Sequence, residues 1–339
     1  MIKPTRKERV QGAIVGSLIG DALGLGCHWY YDVAAMRRDF GDCVDGYRDG
    51  LPGRSDRYGY VAKWRHKFGL RAGDLSQTGE ISALLLESCA LRGHYEEADF
   101  CARLDTLFTE LDGTELSGRY SDHAVRDTWA NRQAGMPWGA AGSAIDTAEA
   151  AIWNVVHVAQ AGGDMRALAT NVHACAQLTH NNPYITGCST AFVLSVAALI
   201  DEVSLDDIQG YMWGLRDDAE IAARTSSNDV AFQIGNVSAR MGADLDLGID
   251  PIIACRLLGM HCTMSFQIPS AYFLIHRYPH DFESAVLTAV NAGGNNVARA
   301  ALTGALAGAM VGVQGIPERF RRGLANSDHL LEMCERVAR

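Results

Sequence analysis

The chain has 339 residues, 48% of them hydrophobic and 21% charged, with a formal net charge of -10. This is a globular composition rather than a disordered one, and its acidic balance argues against a broad nucleic-acid footprint or an anionic membrane partner. Its nine cysteines form no CxxC pair, which fits a reducing cytosol better than secretion, so a cytoplasmic location is expected.

The N-terminus opens on a basic stretch, residues 3–9, that with residues 319–322 predicts solvated helix faces near the chain ends. Apolar residues begin at Ala13, and Asp21 with several glycines interrupts them, so the segment is not a signal peptide. Gly12, Gly16 and Gly20 recur one helical turn apart, which strips one helix face of side chains for close packing. His28 follows in the polar, aromatic loop Cys27-His28-Trp29-Tyr30-Tyr31-Asp32 and is a general acid–base candidate.

Residues 39–76 lack helical periodicity, and 58–61 is the only β-like run. The segment Gly73-Asp74-Leu75-Ser76-Gln77-Thr78-Gly79-Glu80 then opens a helix predicted over 81–92. Ser76, Thr78 and Glu80 suit an N-cap and first turn; a sharper reading has Ser76, Gln77, Thr78 and Glu80 present oxygens to a cavity. A second irregular stretch covers 111–137. Tyr58, Tyr60, Trp64, Trp129 and Trp138 in these two regions favour loops folded over a pocket, with packed surface loops as the alternative.

Helical periodicity returns over 141–161, 165–178, 189–203 and 251–260. Cys89, Cys175 and Cys255 sit in apolar stretches and read as small core residues. Leu178-Thr179-His180-Asn181-Asn182-Pro183 is a polar break in which His180 marks a helix–helix turn or a pocket wall. Asn291-Ala292-Gly293-Gly294-Asn295-Asn296-Val297-Ala298-Arg299 is a tight turn with Asn as N-cap. It leads into a small-residue helix over 300–309, with Gly304 and Gly308 spaced for close packing. Arg299, in an apolar first turn, needs an anionic partner, with Glu80 or a ligand phosphate or carboxylate as candidates. No stretch is long and apolar enough for a transmembrane span; 300–313 comes nearest. The expectation is an all-α, compact, single-domain multi-helix fold over 1–339 with no evident linker.

The four segments around His28, Ser76, His180 and Asn295, in this order, resemble the ADP-ribosylglycohydrolase superfamily from Gly12 to about Leu324. The specific matches are Gly16-Ser17-Leu18-Ile19-Gly20-Asp21-Ala22-Leu23-Gly24 at the start and 282–286, 291–294, 304–309 and Gly315-Ile316-Pro317 near the end. The resemblance implies an all-helical single domain, and hydrolases of that superfamily use two Mg²⁺ ions to cleave the bond between ADP-ribose and a protein side chain. Their metal-ligand motifs, Thr-Asp-Asp-Thr and Asp-x-Asp-Thr, fall here on Ser76-Gln77-Thr78-Gly79 and Asn295-Asn296-Val297-Ala298, and a glutamate found in many members falls on His28. Every ligand aspartate is missing. Magnesium wants carboxylate and water oxygens, so no cofactor and no metal ligands are expected, apart from one weak metal through Glu80, Asp74 or Asp146, which stays open. His28-Trp29, Gly79-Glu80 and Gly293-Gly294-Asn295-Asn296 with Arg299 resemble the crystallin-J branch, although Glu80 and Asn295 each replace an Asp of that branch.

Two functions follow as expectations. In the first, a metal-free hydrolase cleaves a glycosidic bond of an ADP-ribosyl or nucleoside-like substrate. His28 or Glu80 activates water, Arg299 holds an anionic group, and Ser76, Gln77, Thr78, His180, Asn295 and Asn296 bind substrate. In the second, a catalytically inactive, crystallin-like protein binds or supports structure on the same scaffold. A closed Glu80–Arg299 ion pair would favour the second, and an open cavity faced by both would favour the first. The expected partner is a small-molecule or ADP-ribosyl substrate, with no nucleic acid, no membrane and an unknown oligomeric state.

Overall fold

The structure is a computed structural model that describes residues 3–225 and 230–338. Eighteen α-helices and three short 3₁₀ turns make up its regular structure, with no β-strand among the described residues. Among the described residues the only pairings of strand type are the isolated bridges Ser143–His180 and Thr147–Thr263.

Two helices form the axis of the fold. The N-terminal helix, Arg6–Leu25, starts at a capping box in which Thr5 Oγ1 accepts from Glu8 N at 3.2 Å and the Glu8 carboxylate accepts from Thr5 N at 2.8 Å. It lies antiparallel against Asn296–Gly315, with Gly12 facing Gly308, Gly16 facing Gly304, Gly20 facing Ala300 and Gly24 facing Val297. A Cβ at Gly12, Gly16 or Gly20 would overlap the opposing carbonyl oxygen, and so would one at Gly304 or Gly308. Glycine costs a helix about 1 kcal/mol relative to alanine, and here that cost is offset by direct backbone packing. Both helices are buried along nearly their whole length, and one end of the axis carries two site segments: the loop after Leu25 and the turn before Asn296.

The remaining helices wrap this pair and share one contiguous hydrophobic core. Gln77–Arg92 and Met165–Thr179 occupy the predicted places, extended by a turn or less. Pro183–Ile200 begins six residues before the expected start because Asn182 caps it, accepting from Tyr184 N at 3.0 Å, and Pro183 suits the first turn. Pro251–Leu258 stops at Gly259. Cys89, Cys175 and Cys255 are buried core residues, as expected.

Several expectations need correction. Residues 141–148 are not helical: that segment runs as a connecting loop held by the two bridges, and only Glu149–Trp153 and the 3₁₀ turn Asn154–Ala159 coil. The β-like run 58–61 is the start of a helix, Gly59–Phe68, and the irregular stretch 111–137 contains another, His123–Gln133, capped by Asp122. Arg9 is not a solvated charge; it is buried and donates to Ala309 O at 3.0 Å and Met310 O at 2.7 Å. By length and composition Pro183–Ile200 and Asn296–Gly315 do reach the size of a membrane span, but 89% of each is buried inside the fold, as in a core helix.

Candidate active site

A cleft of about 320 Å³ opens where the ends of these helices meet, which is the size of a small-molecule pocket. Six chain regions build it: the loop after the N-terminal helix, residues 57–65, the start of Gln77–Arg92, the segment between Glu115 and Ile152, His261 with Cys262, and the start of Asn296–Gly315 with the turn before it.

His28 lines the cleft and is 8% exposed. Its Nδ1 lies 3.0 Å from Asn296 Oδ1, while Asn296 Nδ2 donates to Cys27 O at 3.2 Å. Because the amide nitrogen is spent on that carbonyl, Oδ1 must accept, so Nδ1 carries the proton and Nε2 is left with a free lone pair. Burial, reinforced by Arg65, holds the imidazole pKa well below its ordinary value, so the ring is neutral. The loop is tied to the glycine turn by reciprocal bonds, Trp29 N to Gly294 O at 3.2 Å and Gly294 N to Tyr30 O at 2.8 Å.

The start of Gln77–Arg92 supplies Ser76, Gln77 and Thr78 to the cleft. Ser76 Oγ accepts from Thr78 N and Gly79 N and donates to Asp21 Oδ2 at 2.5 Å, while Ser76 N donates to Asp21 Oδ1 at 2.7 Å. Burial pushes the Asp21 carboxyl up to about 6 against these bonds. Asn295, from the opposite side, lines the cleft and caps its helix, accepting from Ala298 N at 3.2 Å.

Four predicted site residues are not in the cleft lining: Glu80, Arg299, His180 and Asn296. Glu80 lies along a separate surface groove, where it accepts from Arg119 Nε at 3.0 Å and from Gln77 Nε2. Arg299 is fully buried beneath the glycine turn and donates to Ala289 O at 3.0 Å, Gly293 O at 2.9 Å and Gly259 O at 3.3 Å. The Glu80–Arg299 pair therefore does not form, and Arg299 binds peptide carbonyls instead of an anion. Burial lowers its pKa. His180 is also fully buried, one layer behind the cleft, with Nε2 3.2 Å from Thr147 Oγ1 and Nδ1 3.1 Å from Thr179 Oγ1. Asn296 supports His28 from underneath without lining the cleft.

Three carboxylates that sequence reasoning missed line the cleft, Glu115, Asp122 and Glu149, and the last two act on each other. Asp122 is the N-cap of His123–Gln133 and accepts from Val125 N at 2.9 Å. It is partly exposed as a residue, yet desolvation and then the neighbouring Glu149 charge push its carboxyl up to about 7. Glu149 is 6% exposed, its Oε2 is 3.8 Å from His180 Nε2, and that oxygen has no hydrogen-bond partner. A Ser-Asp-His helix start was the available signal for Asp122; Glu149 lies inside an alanine-rich run that masks it.

The opposite rim is aromatic and cationic. Trp29, Tyr31, Tyr58, Tyr60 and Tyr120 line it with Arg57 and Arg65. Tyr58 and Tyr60 are thus the loop aromatics that reach the pocket, whereas the indole N–H groups of Trp64, Trp129 and Trp138 are spent on Gly118 O, Phe108 O and Asp105 Oδ2. Among the described residues no three His, Cys, Asp or Glu side chains converge as metal ligands. Asp74 shares the groove of Glu80, and Asp146 is exposed outside the cleft.

Comparison with known proteins gives this geometry a context. A curated protein from Archaeoglobus fulgidus, described only as uncharacterized, is 25% identical over 337 residues, covering 98% of this chain and 96% of its own. A solved structure described as an ADP-ribosylglycohydrolase-related protein complex shares the fold, with a TM-score of 0.68 at 18% identity over 98% of both chains. A family model described as ADP-ribosylglycohydrolase matches residues 2–339. The chain belongs to the ADP-ribosylglycohydrolase family.

Proposed function

We propose that the cleft hydrolyses a glycosidic bond of an ADP-ribosyl or nucleoside-like substrate with the Asp122–Glu149 pair as its acid and base. The observation that carries this is the raised pKa of Asp122, up to about 7, beside Glu149 in one cleft wall. Two carboxyls in one wall, one of them held protonated to a higher pH, can divide the acid and base roles. The Asp122 carboxyl, protonated, gives its proton to the departing group as the glycosidic bond breaks. The Glu149 carboxylate faces the oxocarbenium-like carbon or takes a proton from the attacking water. Neutral His28, with its Nε2 lone pair free, is a second acceptor. Arg57 and Arg65 suit an anionic substituent, and the aromatic rim suits a planar base.

The same reading assigns no binuclear magnesium centre to this chain. At the positions aligned with the ligand motifs, the Ser76 hydroxyl is bound to Asp21, the Asn295 oxygen caps its helix, the Asn296 amide holds His28 and Val297 has no donor. Arg65 adds positive charge to the same cleft. Gln77 and Thr78 at the same positions are likewise neutral, and neutral groups do not supply the carboxylate oxygens that magnesium needs.

The test is release of ADP-ribose or free base from ADP-ribosylated arginine peptide, ADP-ribosyl serine peptide and nucleosides in EDTA, followed by mass spectrometry. Turnover in EDTA that drops at least about 100-fold in both Asp122→Asn and Glu149→Gln supports the reading. Turnover that needs magnesium and survives Asp122→Asn overturns it. Binding without turnover returns the protein to the inactive, binding-protein reading.

A further inference from the structure

A small chamber of about 20 Å³ shares two wall residues, His28 and Arg65, with the cleft. That is room for about one water-sized particle. Its polar lining is all nitrogen-bearing: His28, Arg48, Arg54, Arg65, His66 and Arg71, with no carboxylate among the lining residues.

The arginines differ in how they are satisfied. The Arg54 side chain is 2% exposed and fully engaged, binding Asp56, His28 O at 2.7 Å and Trp29 O at 3.1 Å. Arg71 donates to Leu70 O at 2.9 Å. Arg48 pairs with Asp45 through one terminal nitrogen at 2.5 Å, but its Nε is buried without a partner. Arg65 is 8% exposed and makes no side-chain hydrogen bond or ion pair among the described residues; its Nε is also buried and unpartnered. Its guanidinium carbon lies over the Tyr120 ring, 5.5 Å from the centroid. The carboxylate whose charge acts on it, Asp21, has both oxygens bound to Ser76. Burial draws the Arg65 pKa down to about 10, so the guanidinium remains charged at neutral pH.

A buried guanidinium with no directly bonded counter-ion, and only the Ser76-bound Asp21 carboxylate acting on its charge, is costly; the buried, unpartnered Nε of the otherwise half-exposed Arg48 belongs to a lining residue of the same chamber. We propose that the chamber is a binding site for one small monovalent anion of the size of chloride, held by Arg65 and Arg48. A monatomic anion matches the volume, offsets the Arg65 charge and accepts from both idle donors. Phosphate and sulfate are too large for it. Water would accept the bonds without adding negative charge beside Arg65. Because His28 and Arg65 also line the cleft, the anion would sit directly behind the candidate active site. The site does not depend on the reaction proposed for the cleft.

The experiment is melting of the full chain in rising chloride or bromide, with ionic strength held constant by gluconate. A saturating rise of about 2 °C or more, lost in Arg65→Gln and reduced in Arg48→Met, is expected. Equal melting in halide and gluconate, or the same halide response in Arg65→Gln, overturns the proposal. Should Arg65→Gln not fold, wild-type crystals soaked in bromide decide the matter. An anomalous peak in the chamber supports the site, and its absence overturns it.

Discussion

Trp29 and Tyr120 meet edge to face with ring centroids 5.1 Å apart, and both hold their backbones at positive φ, 63° and 82°. Only two other non-glycine residues among those described do so, Glu202 and Asn326. A left-handed conformation at an aromatic residue costs about 1–3 kcal/mol and persists where the surroundings enforce it. At Trp29 the enforcing contacts are the bonds that join its loop to Gly294.

The first prediction follows from that strain. Trp29→Gly should be more stable than Trp29→Ala by about 1 kcal/mol, because glycine adopts positive φ freely. Both variants should lose at least about tenfold in ligand affinity with the ring. Urea melts and calorimetric titration measure the two effects. Equal stability of the two variants would show that the position is unstrained.

The second concerns pH. The Asp122 carboxyl titrates near 7 in the folded chain, above its ordinary value of 3.8. Between those two values the folded state holds a proton that the unfolded state has released, so stability contributed by this group is full below about 4 and is lost as pH rises to about 7. Asp122→Asn should flatten that fall, so that its stability relative to wild type improves from pH 4 to pH 8. An unchanged pH slope in the variant would remove the raised pKa from consideration.

Third, Gly16→Ala or Gly304→Ala should cost about 3 kcal/mol or more, or prevent folding, since each new methyl overlaps a backbone carbonyl across the helix pair. Gly53→Ala is the control: nothing lies within 4 Å of its added Cβ, so denaturant midpoints should barely move.

Arg299→Met, the fourth, leaves the carbonyls of Ala289, Gly293 and Gly259 without their donor and should cost about 3–5 kcal/mol. Arg299→Lys should not restore stability, because a single ammonium cannot span three carbonyls as the guanidinium fork does. Full rescue by lysine would mean that charge alone matters there.

The fifth addresses the metal motifs. Magnesium should leave the melting temperature of the wild-type chain unchanged, whereas the combined variant Gln77→Asp, Thr78→Asp, Asn295→Asp and Val297→Asp should melt higher in magnesium than in EDTA. A clear magnesium response in the wild type would contradict the neutral donor set.

The helical scaffold was readable wherever apolar residues kept a 3.6-residue period, as in Gln77–Arg92 and Met165–Thr179. The glycine spacing of Gly12, Gly16 and Gly20 announced a close approach, although the partner was visible only as Gly304 and Gly308 far along the chain. Alanine content misled over 141–148, where loop bridges override propensity. The helices Gly59–Phe68 and His123–Gln133 were hidden by charged residues that one-sided burial permits. Of the site, His28, Ser76, Gln77, Thr78 and Asn295 were legible as polar interruptions at helix ends. Glu80 and Arg299 were not separable from them by sequence, because which way a first-turn side chain points depends on a neighbour, here Arg119 and the glycine turn. Asp122 and Glu149 become a pair only through tertiary structure.

The glycine-faced helix pair also sets an order of events during synthesis. The helix Arg6–Leu25 leaves the ribosome long before Asn296–Gly315, yet the surface that covers Gly12, Gly16 and Gly20 is supplied by Gly308, Gly304 and Ala300 of that later helix. Until then the glycine face of Arg6–Leu25 has no native partner, and contacts between such distant segments form late. A nascent chain interrupted before Asn296 thus lacks half of its central axis as well as one wall of its cleft.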